Sequence, residues 1–299
     1  MAKIESYELL SQIKNTDIKK RLILDTDTYN EVDDQFALAW ALLCDQSKVE
    51  LLSVNAAPFH NNRSNGPEDG MEKSYNEILK IMKLTNQSRP VYKGSREYMK
   101  SVSLPVESDA AENIIRTARE SDDLIYIAAI GAITNVASAI VKAPDIIDNI
   151  AVIWLGGTAH HCPHTREFNL IQDVYAAKVI FDSGVPLLQL PCWGVVDHLA
   201  TTVPELRHYL GGKNQLCDYL VDIVDNYGGG MCWSKVIWDI SAIAALICPE
   251  SEDIVIKPTP IVTLDGTYSF DDGRHDMLYC RAINRDTIFA RLFSLLAGF

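Results

Sequence analysis

The chain has 299 residues, 47% of them hydrophobic, and a formal net charge of −13 at pH 7. This length and apolar content suffice for one large α/β domain, and we predict a single domain spanning residues 1–299. The acidic balance, with no cluster of Lys and Arg, argues against a nucleic-acid partner, because phosphate binding needs such clusters.

Apolar strand-like runs alternate with helical patterns through the first two thirds of the chain. The predicted strands are Leu22–Leu24, Val49–Val54, Leu124–Ile130, Ala151–Leu155 and Pro186–Leu190. The predicted helices are Phe36–Leu43, Glu72–Met82, Ala110–Glu120, Pro204–Leu210, Asn214–Tyr227 and Lys235–Ile247. A β-rich tail (Ile254–Tyr268, Met277–Ile283) precedes a last helix, Arg285–Leu296, and Asn61–Gly70 is the most flexible predicted loop. This alternation predicts an α/β fold with an open, mostly parallel (mixed) sheet flanked by helices.

The sequence offers no candidate for membrane insertion. Its first 20 residues are polar and lack the apolar core of a signal peptide. The longest apolar stretch, Leu124–Val141, is interrupted by Gly131 and by polar residues, so it is better explained as a strand, a turn and a helix. Seven scattered cysteines without CxxC pairing are typical of reduced thiols. We therefore expect a cytoplasmic protein with no membrane partner.

Four aspartates, Asp25, Asp27, Asp33 and Asp34, fall within ten positions between a predicted strand and a predicted helix. Like charges this close disfavour each other's ionisation, so the cluster indicates a bound cation. Alternate residues of a strand share a face, so Asp25 and Asp27 are expected to point the same way. Asp33 could alternatively be a helix N-cap, but one cap would explain only one of the four acids.

Three later segments place polar residues near predicted strand or helix ends. Thr134 and Asn135 follow the strand Leu124–Ile130, where they could cap a helix or offer a carbonyl oxygen to a hard cation. Glu167 and Asn169 would share one face if their segment is extended, and such a pair suits a polyhydroxylated ligand.

The third segment, Trp238-Asp239, lies within the predicted helix Lys235–Ile247. Asp239 could be an N-cap or a distant ligand of the same cation, and Trp238 could belong to the core or stack on an aromatic ligand. Three histidines, His160, His161 and His164, lack the spacing of a closed zinc site, so surface positions or substrate contacts are preferred.

Together these segments resemble the inosine–uridine-type nucleoside hydrolases. The matching pieces occur in the family's order: DTD…DD at residues 25–34, IGAITN at 130–135, GG…EFN at 156–169, and a late aspartate at 239. The resemblance implies one Ca²⁺ held by Asp27, Asp34, the carbonyl of Thr134 and Asp239. It also implies ribose-hydroxyl contacts from Asp33, Glu167 and Asn169.

The implied reaction is Ca²⁺-dependent hydrolysis of the N-glycosidic bond of a ribonucleoside, giving free base and ribose. Asp27 would accept a proton as general base, and Asp25 would support the metal ligands. The substrate partner is a small nucleoside or a related ribosyl compound, and the resemblance implies a homo-oligomer, either a dimer or a tetramer.

Two positions depart from the family's pattern. The family motif DxDPGxDD has three residues between its second and third acids, whereas here there are five, Thr28–Val32, without Pro-Gly. Tyr29, Asn30 or Glu31 could therefore enter the site. Many members carry His before the late aspartate as an acid for the leaving base, but this chain has Trp238, as in the purine-preferring branch. Tryptophan cannot donate a proton as an acid, so purines are the expected substrates.

Two other functions remain open at this point. The opening LDTDT fits the DxDxT motif of haloacid-dehalogenase-type phosphatases, which use an aspartate nucleophile and Mg²⁺. That class does not predict EFN or Trp238-Asp239. A non-catalytic or repurposed member of the hydrolase family, which binds a nucleoside or sugar with a metal, would account for the altered loop.

Overall fold

The strands and helices follow the apolar runs of the sequence. The structure, a computed structural model, describes residues 4–299. Its strands are β1 (Lys20–Thr26), β2 (Val49–Ala56), β3 (Val91–Lys93), β4 (Ile125–Ala129), β5 (Ile150–Leu155), β6 (Leu187–Leu190), β7 (Ala200–Thr201), β8 (Lys235–Val236), β9 (Glu252–Pro258), β10 (Ile261–Val262), β11 (Tyr268–Ser269) and β12 (Asp276–Ile283). Its α-helices are α1 (Ser6–Lys14), α2 (Asp34–Leu43), α3 (Pro67–Leu84), α4 (Asp109–Glu120), α5 (Thr134–Lys142), α6 (Phe168–Gln172), α7 (Val174–Asp182), α8 (Val203–Tyr209), α9 (Gln215–Tyr227), α10 (Ile240–Ile247) and α11 (Arg285–Gly298).

Eight strands form one sheet in the order β3-β2-β1-β4-β5-β6-β12-β9. Every neighbouring pair is parallel except β12 and β9, which are antiparallel. The predicted open, mostly parallel mixed sheet flanked by helices is therefore confirmed.

Two hydrophobic clusters cover the two faces of the sheet. Leu22 and Leu24 of β1 pack in one cluster with residues of α2, α10 and α11, whereas Ile23 packs in the other with residues of α4, α5 and α7. Successive residues of a strand point to opposite faces, so a strand buried on both sides needs a continuous apolar run. This explains why the centre of β1 is Leu-Ile-Leu rather than an alternation of apolar and polar residues.

The order of the strands reverses beside β1. β2 and β3 lie on one side of it, and β4, β5 and β6 follow on the other. At such a switch point the loops that follow neighbouring strands diverge and leave a crevice at the carboxyl edge of the sheet. Asp27 follows β1 and Ile130 follows β4, so the acidic segment lies at this crevice.

The predicted helix Lys235–Ile247 is wrong in its first part. Lys235–Val236 forms β8, which pairs antiparallel with β7, and α10 begins only at Ile240. The run Val236-Ile237-Trp238 consists of β-branched and aromatic residues, which lose side-chain freedom in a helix.

The predicted loop Asn61–Gly70 also ends earlier than expected. α3 begins at Pro67, and its first turn contains Glu68 and Asp69. Proline is favoured in the first turn of a helix, and acids there interact favourably with the helix dipole.

Candidate active site

A cavity of about 120 Å³ lies at the carboxyl edge of the sheet, beyond β1, β4 and β5. Seven of the residues predicted from the sequence line it: Asp27, Asp33, Asp34, Glu167, Asn169, Trp238 and Asp239. The remaining lining residues are Asn30, Glu31, Ile130, Leu155, Phe168, Cys192 and Trp193. Asp25 and Thr134 do not line it, so the structure brings most, but not all, of the predicted residues together.

Asp27 is fully buried immediately after β1. Neither of its carboxylate oxygens has a hydrogen-bond partner among residues 4–299. Burial raises the pKa of Asp27 well above its usual range, and the negative charges of Asp34 and Asp33 raise it further. The chain also keeps space open beside it, because a Cβ on Gly131 would lie 2.8 Å from Cγ of Asp27. A buried carboxylate without donors favours either a proton or a cation.

Asp34 and Asp239 complete an acidic cluster with Asp33, in which one carboxylate oxygen from each residue lies within 4.8 Å of the others. Asp34 begins α2, and its Oδ1 accepts a hydrogen bond from Oγ1 of Thr26 at 2.6 Å. Burial raises the pKa of Asp34 to about 7. Asp239 precedes α10 but makes no capping bond, and burial followed by the charges of Asp33 and Asp34 raises its pKa.

Asp33 occupies the N-cap position of α2, but its side chain does not cap the helix. Instead its Oδ2 accepts from the backbone N–H of Trp238 at 3.0 Å, and its Oδ1 accepts from the backbone N–H of Val32 at 3.3 Å. Oδ1 also lies 3.2 Å from Nζ of Lys235. The alternative in which Asp33 is only an N-cap is therefore wrong.

Lys235 is a functional neighbour that the sequence patterns missed. It is only 5% exposed, and its Nζ lies 2.5 Å from Oε2 of Glu31 as well as close to Asp33. Burial works against the charged form, but the negative charges of Asp33 and Glu31 outweigh it and raise the pKa of Lys235. A buried ammonium thus balances part of the acidic cluster.

Asp25 is buried but does not line the cavity. Its Oδ2 accepts from Nδ2 of Asn135 at 3.0 Å, and burial raises its pKa to about 7. Asp25 and Asp27 therefore do not share the cavity, although the strand pattern predicted a shared direction. This placement agrees with the supporting role expected for Asp25, which stays a prediction.

The expected capping roles of Thr134 and Asn135 are wrong. The N-cap position of α5 is Ile133, which makes no side-chain capping bond. The hydroxyl of Thr134 donates to Oδ2 of Asp173 at 2.7 Å, while Asn135 holds Asp25. The carbonyl of Thr134 as a cation ligand stays a prediction.

Glu167 is not part of an extended segment, because α6 begins directly after it. Its carboxylate caps that helix by accepting from the backbone N–H groups of Asn169 at 2.9 Å and Leu170 at 3.2 Å. It also accepts from the N–H of Gly157 at 2.7 Å. Burial raises the pKa of Glu167, and these hydrogen bonds act against that rise. Its contact with a ribose hydroxyl stays a prediction.

Asn169 presents an acceptor to the cavity. Its Nδ2 donates to the carbonyl oxygens of Leu155 at 3.0 Å and Ile130 at 3.3 Å. One carbonyl belongs to the last residue of β5 and the other to the residue that follows β4. They fix the orientation of the amide and leave Oδ1 as the group that Asn169 can offer.

Two tryptophans stand together in the cavity lining. The rings of Trp193 and Trp238 pack edge-to-face with centroids 5.2 Å apart, and Trp193 is 55% exposed. The sequence patterns did not assign Trp193 to the site. Its position shortly after β6, at the carboxyl edge of a parallel sheet, is the signal that could have found it.

The histidines that follow β5 do not form a metal site. Among residues 4–299, the acidic cluster is the one group of three or more potential ligands close enough to hold a metal ion. His160 packs against the ring of Tyr279 with centroids 4.4 Å apart, and its Nε2 lies 2.9 Å from Oε1 of Gln189. Burial lowers the pKa of His160 to about 4, so it is neutral near pH 7.

A family model described as inosine-uridine preferring nucleoside hydrolase matches residues 22–275. The chain belongs to this family. Nucleoside hydrolases act on N-glycosyl bonds and are metal-dependent, so the expected enzyme class is confirmed and the chain is placed outside the phosphatases. Within residues 4–299, this nucleoside hydrolase has no helix with the length and apolar character that a bilayer crossing requires.

Individual relatives agree with the family match. The non-specific ribonucleoside hydrolase RihC of Klebsiella pneumoniae is 25% identical over 255 residues, covering 77% of this nucleoside hydrolase and 79% of RihC. A purine-preferring ribonucleoside hydrolase from Gardnerella vaginalis has a TM-score of 0.76 at 21% identity, with 93% of this chain and 98% of that chain covered. The plant nucleoside hydrolase PpNRh1 has a TM-score of 0.77 at 18% identity, with 94% and 100% covered. The two solved structures therefore share the fold.

Proposed function

We propose that this nucleoside hydrolase cleaves ribonucleosides with Ca²⁺ as its cation and prefers purine bases. The observation that carries the proposal is the buried carboxylate of Asp27. Neither of its oxygens has a hydrogen-bond partner within residues 4–299, and the negative charges of Asp34 and Asp239 lie nearby. These acids cannot all be ionised in a buried site without a positive charge nearby.

The donor set fits a hard divalent cation. Ca²⁺ takes roughly 6–8 oxygen ligands, and carboxylates are its usual protein ligands. Asp27, Asp34 and Asp239 would hold it, together with the Thr134 carbonyl that the resemblance assigns. Asp33 lies near enough to be a ligand, but Lys235 and two backbone N–H groups already occupy its oxygens. When bound, the cation would make a water molecule more acidic and orient sugar hydroxyls.

The proposed chemistry uses the carboxylates of the chain in different ways. Asp27 accepts a proton from the attacking water, because no donor in the described part of the chain, residues 4–299, is bonded to its oxygens. The surrounding negative charge stabilises the positive charge that develops on the sugar as the bond to the base breaks. Asn169 Oδ1, Glu167 and the remaining acceptor site on Asp33 receive hydrogen bonds from ribose hydroxyls.

The purine preference rests on the two tryptophans. A cavity of about 120 Å³ is smaller than the roughly 300–1,000 Å³ of typical ligand pockets, so it suits a sugar with its base lying toward the exposed Trp193. Trp238 offers an aromatic face to a base but no acidic proton. Stacking therefore favours the larger purine ring system. The structurally similar hydrolase from Gardnerella vaginalis is also named for a purine preference.

We also infer the setting in which this activity operates. The seven cysteines are free thiols in the structure, which agrees with a reducing, cytoplasmic environment. The proposed role there is purine salvage, with the chain assembled as a homodimer or homotetramer, as the family resemblance implies.

The proposal is tested by incubating the purified protein with a panel of ribonucleosides and measuring the release of reducing sugar. Inosine and guanosine should be hydrolysed faster than uridine. A chelator should abolish hydrolysis, and added Ca²⁺ should restore it. Nucleoside binding without turnover would instead favour the non-catalytic member.

A further inference from the structure

The five-residue loop Thr28–Val32 brings a neutral amide, Asn30, into the cavity. Asn30 is only 7% exposed and lines the cavity. In the sequence it follows Asp27, Thr28 and Tyr29. Its backbone N–H donates to the carbonyl of Asp27 at 2.7 Å. Arg63 holds the next residue by donating to the carbonyl of Glu31 at 2.8 Å. The loop is therefore fixed on both sides of Asn30.

A neighbouring backbone group fixes which way the Asn30 amide faces. The backbone N–H of Arg63 donates to Oδ1 of Asn61 at 2.8 Å, and a backbone N–H can only be a donor. Asn61 must therefore turn its Nδ2 toward Asn30, where it donates to Oδ1 of Asn30 at 2.6 Å. Because Oδ1 of Asn30 is thereby engaged, its Nδ2 is the group left for the cavity. Among residues 4–299, the side-chain hydrogen bond that Asn30 makes runs through its Oδ1 and not through its Nδ2.

Apart from Asn30, the Asp, Glu and Asn side chains that line the cavity offer acceptors to a ligand. The cavity lining contains the carboxylates of Asp27, Asp33, Asp34 and Asp239. The Nδ2 group of Asn169 already donates to two backbone carbonyls, so only its oxygen is available to a ligand. Sugar hydroxyls can donate to these acceptors, but a nucleoside also carries oxygen and ring-nitrogen acceptors that need a donor. Asn30 and Asn169 thus present opposite ends of the same functional group.

We propose that Asn30 is a specificity-determining residue, whose Nδ2 donates a hydrogen bond to an acceptor atom of the bound nucleoside. The inference rests on the proposed function and adds a substrate contact built from the loop that departs from the family's pattern. The acceptor is a sugar oxygen or a ring nitrogen of the base. In either case the contact selects ligands that place an acceptor beside Asp27.

Two substitutions at the same position separate substrate contact from a structural role. Asn30→Ala removes both the donor and the bond to Asn61. Asn30→Asp keeps the acceptor that Asn61 needs but replaces Nδ2 with an oxygen. We expect kcat/KM to fall roughly 2- to 13-fold in Asn30→Ala, the range for one neutral hydrogen bond, and at least as far in Asn30→Asp. An Asn30→Asp protein that is more active than Asn30→Ala would overturn the proposal, because only the structural bond would then matter.

Substrate analogues identify the acceptor and control for the added charge. The penalty of Asn30→Ala is measured on analogues that each lack one acceptor: deazapurine ribosides, deoxyribosides and, for binding alone, a carbocyclic nucleoside. The penalty should disappear with the one analogue that lacks the partner of Asn30, which tells a base contact from a sugar contact. An equal penalty on every analogue contradicts the proposal.

Binding measurements keep this test separate from the proposed activity. Calorimetric titration of the Ca²⁺-loaded protein with the carbocyclic nucleoside, which lacks the N-glycosidic bond to be hydrolysed, gives a Kd whether or not the protein turns over inosine. If the wild type binds a nucleoside but does not hydrolyse it, the proposed catalysis is refuted. The Asn30 contact can then still be tested by comparing the Kd values of the wild type and the two Asn30 variants. Full hydrolysis by the wild type with unchanged kcat/KM in both Asn30 variants would refute the Asn30 contact alone.

Discussion

Asp27 and Asp33 carry the same side chain in one cavity, but their surroundings assign them different tasks. Asp33 is matched by Lys235 and by the N–H of Trp238, so its charge is balanced within the chain. Asp27 has no such partners among residues 4–299, and burial raises its pKa. Acids whose environments differ in this way divide the work of a site, as in other enzymes with paired carboxylates. These surroundings support the proposal that Asp27 serves the cation and the proton and that Asp33 contacts the sugar.

The role of Trp238 can be tested by removing its ring. In Trp238→Ala, kcat/KM for inosine should fall roughly 2- to 13-fold, because an aromatic pair contributes about 0.5–1.5 kcal/mol beyond its buried area. The fall should be smaller for uridine, whose ring is smaller. The matched control is Tyr209→Ala, which removes an aromatic ring stacked on Phe293 outside the cavity. Equal losses for inosine and uridine would contradict a stacking role.

The loop between β1 and α2 depends on β8, which lies far away in the sequence. Lys235 is separated from Glu31 by 204 positions, yet its ammonium holds both this loop and Asp33. In Lys235→Met two acids lose a buried partner, and the free energy of unfolding should fall by about 3 kcal/mol. Urea unfolding of the cation-free protein measures this change.

Lys142→Met is the control for the Lys235 prediction. Lys142 pairs with Glu107 and Glu112 on the surface, where ion pairs contribute about 0–1 kcal/mol. If the two lysine variants lose equal stability, the loop does not depend on the buried ammonium.

The strands were predictable because their cause is local. A strand buried on both faces favours a run of apolar residues. β4 and β5 are apolar throughout, and β1, β2 and β6 each contain a shorter apolar run, so the positions of all five strands were found to within a few residues. The acids of the site were also visible, since they interrupt apolar runs at strand and helix ends.

The missed features arise from contacts between distant segments. Lys235 lies beside Asp33 only because β8 folds back on β7, and no local periodicity records that pairing. Glu167 caps α6, although the favoured N-cap residues are Ser, Thr, Asp and Asn, so its helix start was hidden. Trp193 enters the lining through the chain's path after β6.

Cation binding should stabilise the whole molecule as well as activate it. A ligand that binds only the folded state at 100 times its Kd adds about 2.7 kcal/mol to the free energy of unfolding. Saturating Ca²⁺ should therefore raise the Tm of the wild type, and a chelator should reverse the shift. Asp34→Asn should lose most of the shift, whereas the exposed-site variant Asp253→Asn should keep it. A Tm that does not respond to Ca²⁺ would argue against a resident calcium ion.

Glu252 makes global stability depend on pH. It is buried at the start of β9, neither carboxylate oxygen has a partner among residues 4–299, and burial raises its pKa from 4.5 to about 8. Between these values the folded state binds more protons than the unfolded state, so stability falls as pH rises and the full loss is reached above pH 8. Glu252→Gln should be more stable than the wild type above pH 8, by on the order of 4 kcal/mol.

Urea unfolding between pH 5 and pH 9 checks the Glu252 prediction. The neighbouring Glu250→Gln serves as the control, because Glu250 is half exposed and paired with Arg291. The free energies of unfolding of the wild type and of Glu252→Gln are compared at each pH. If their difference stays constant across this range, Glu252 does not hold a proton in the folded state.

The most direct measurement compares inosine hydrolysis by the wild type and by Asp27→Asn, with Ca²⁺ present and Asp253→Asn as the control. Asparagine keeps the size of the side chain but cannot take up the proton, so kcat should fall roughly 10³-fold, within the usual 10²–10⁴ range for a general base. Asp253→Asn should match the wild type. An Asp27→Asn protein that releases ribose as fast as the wild type would contradict the account.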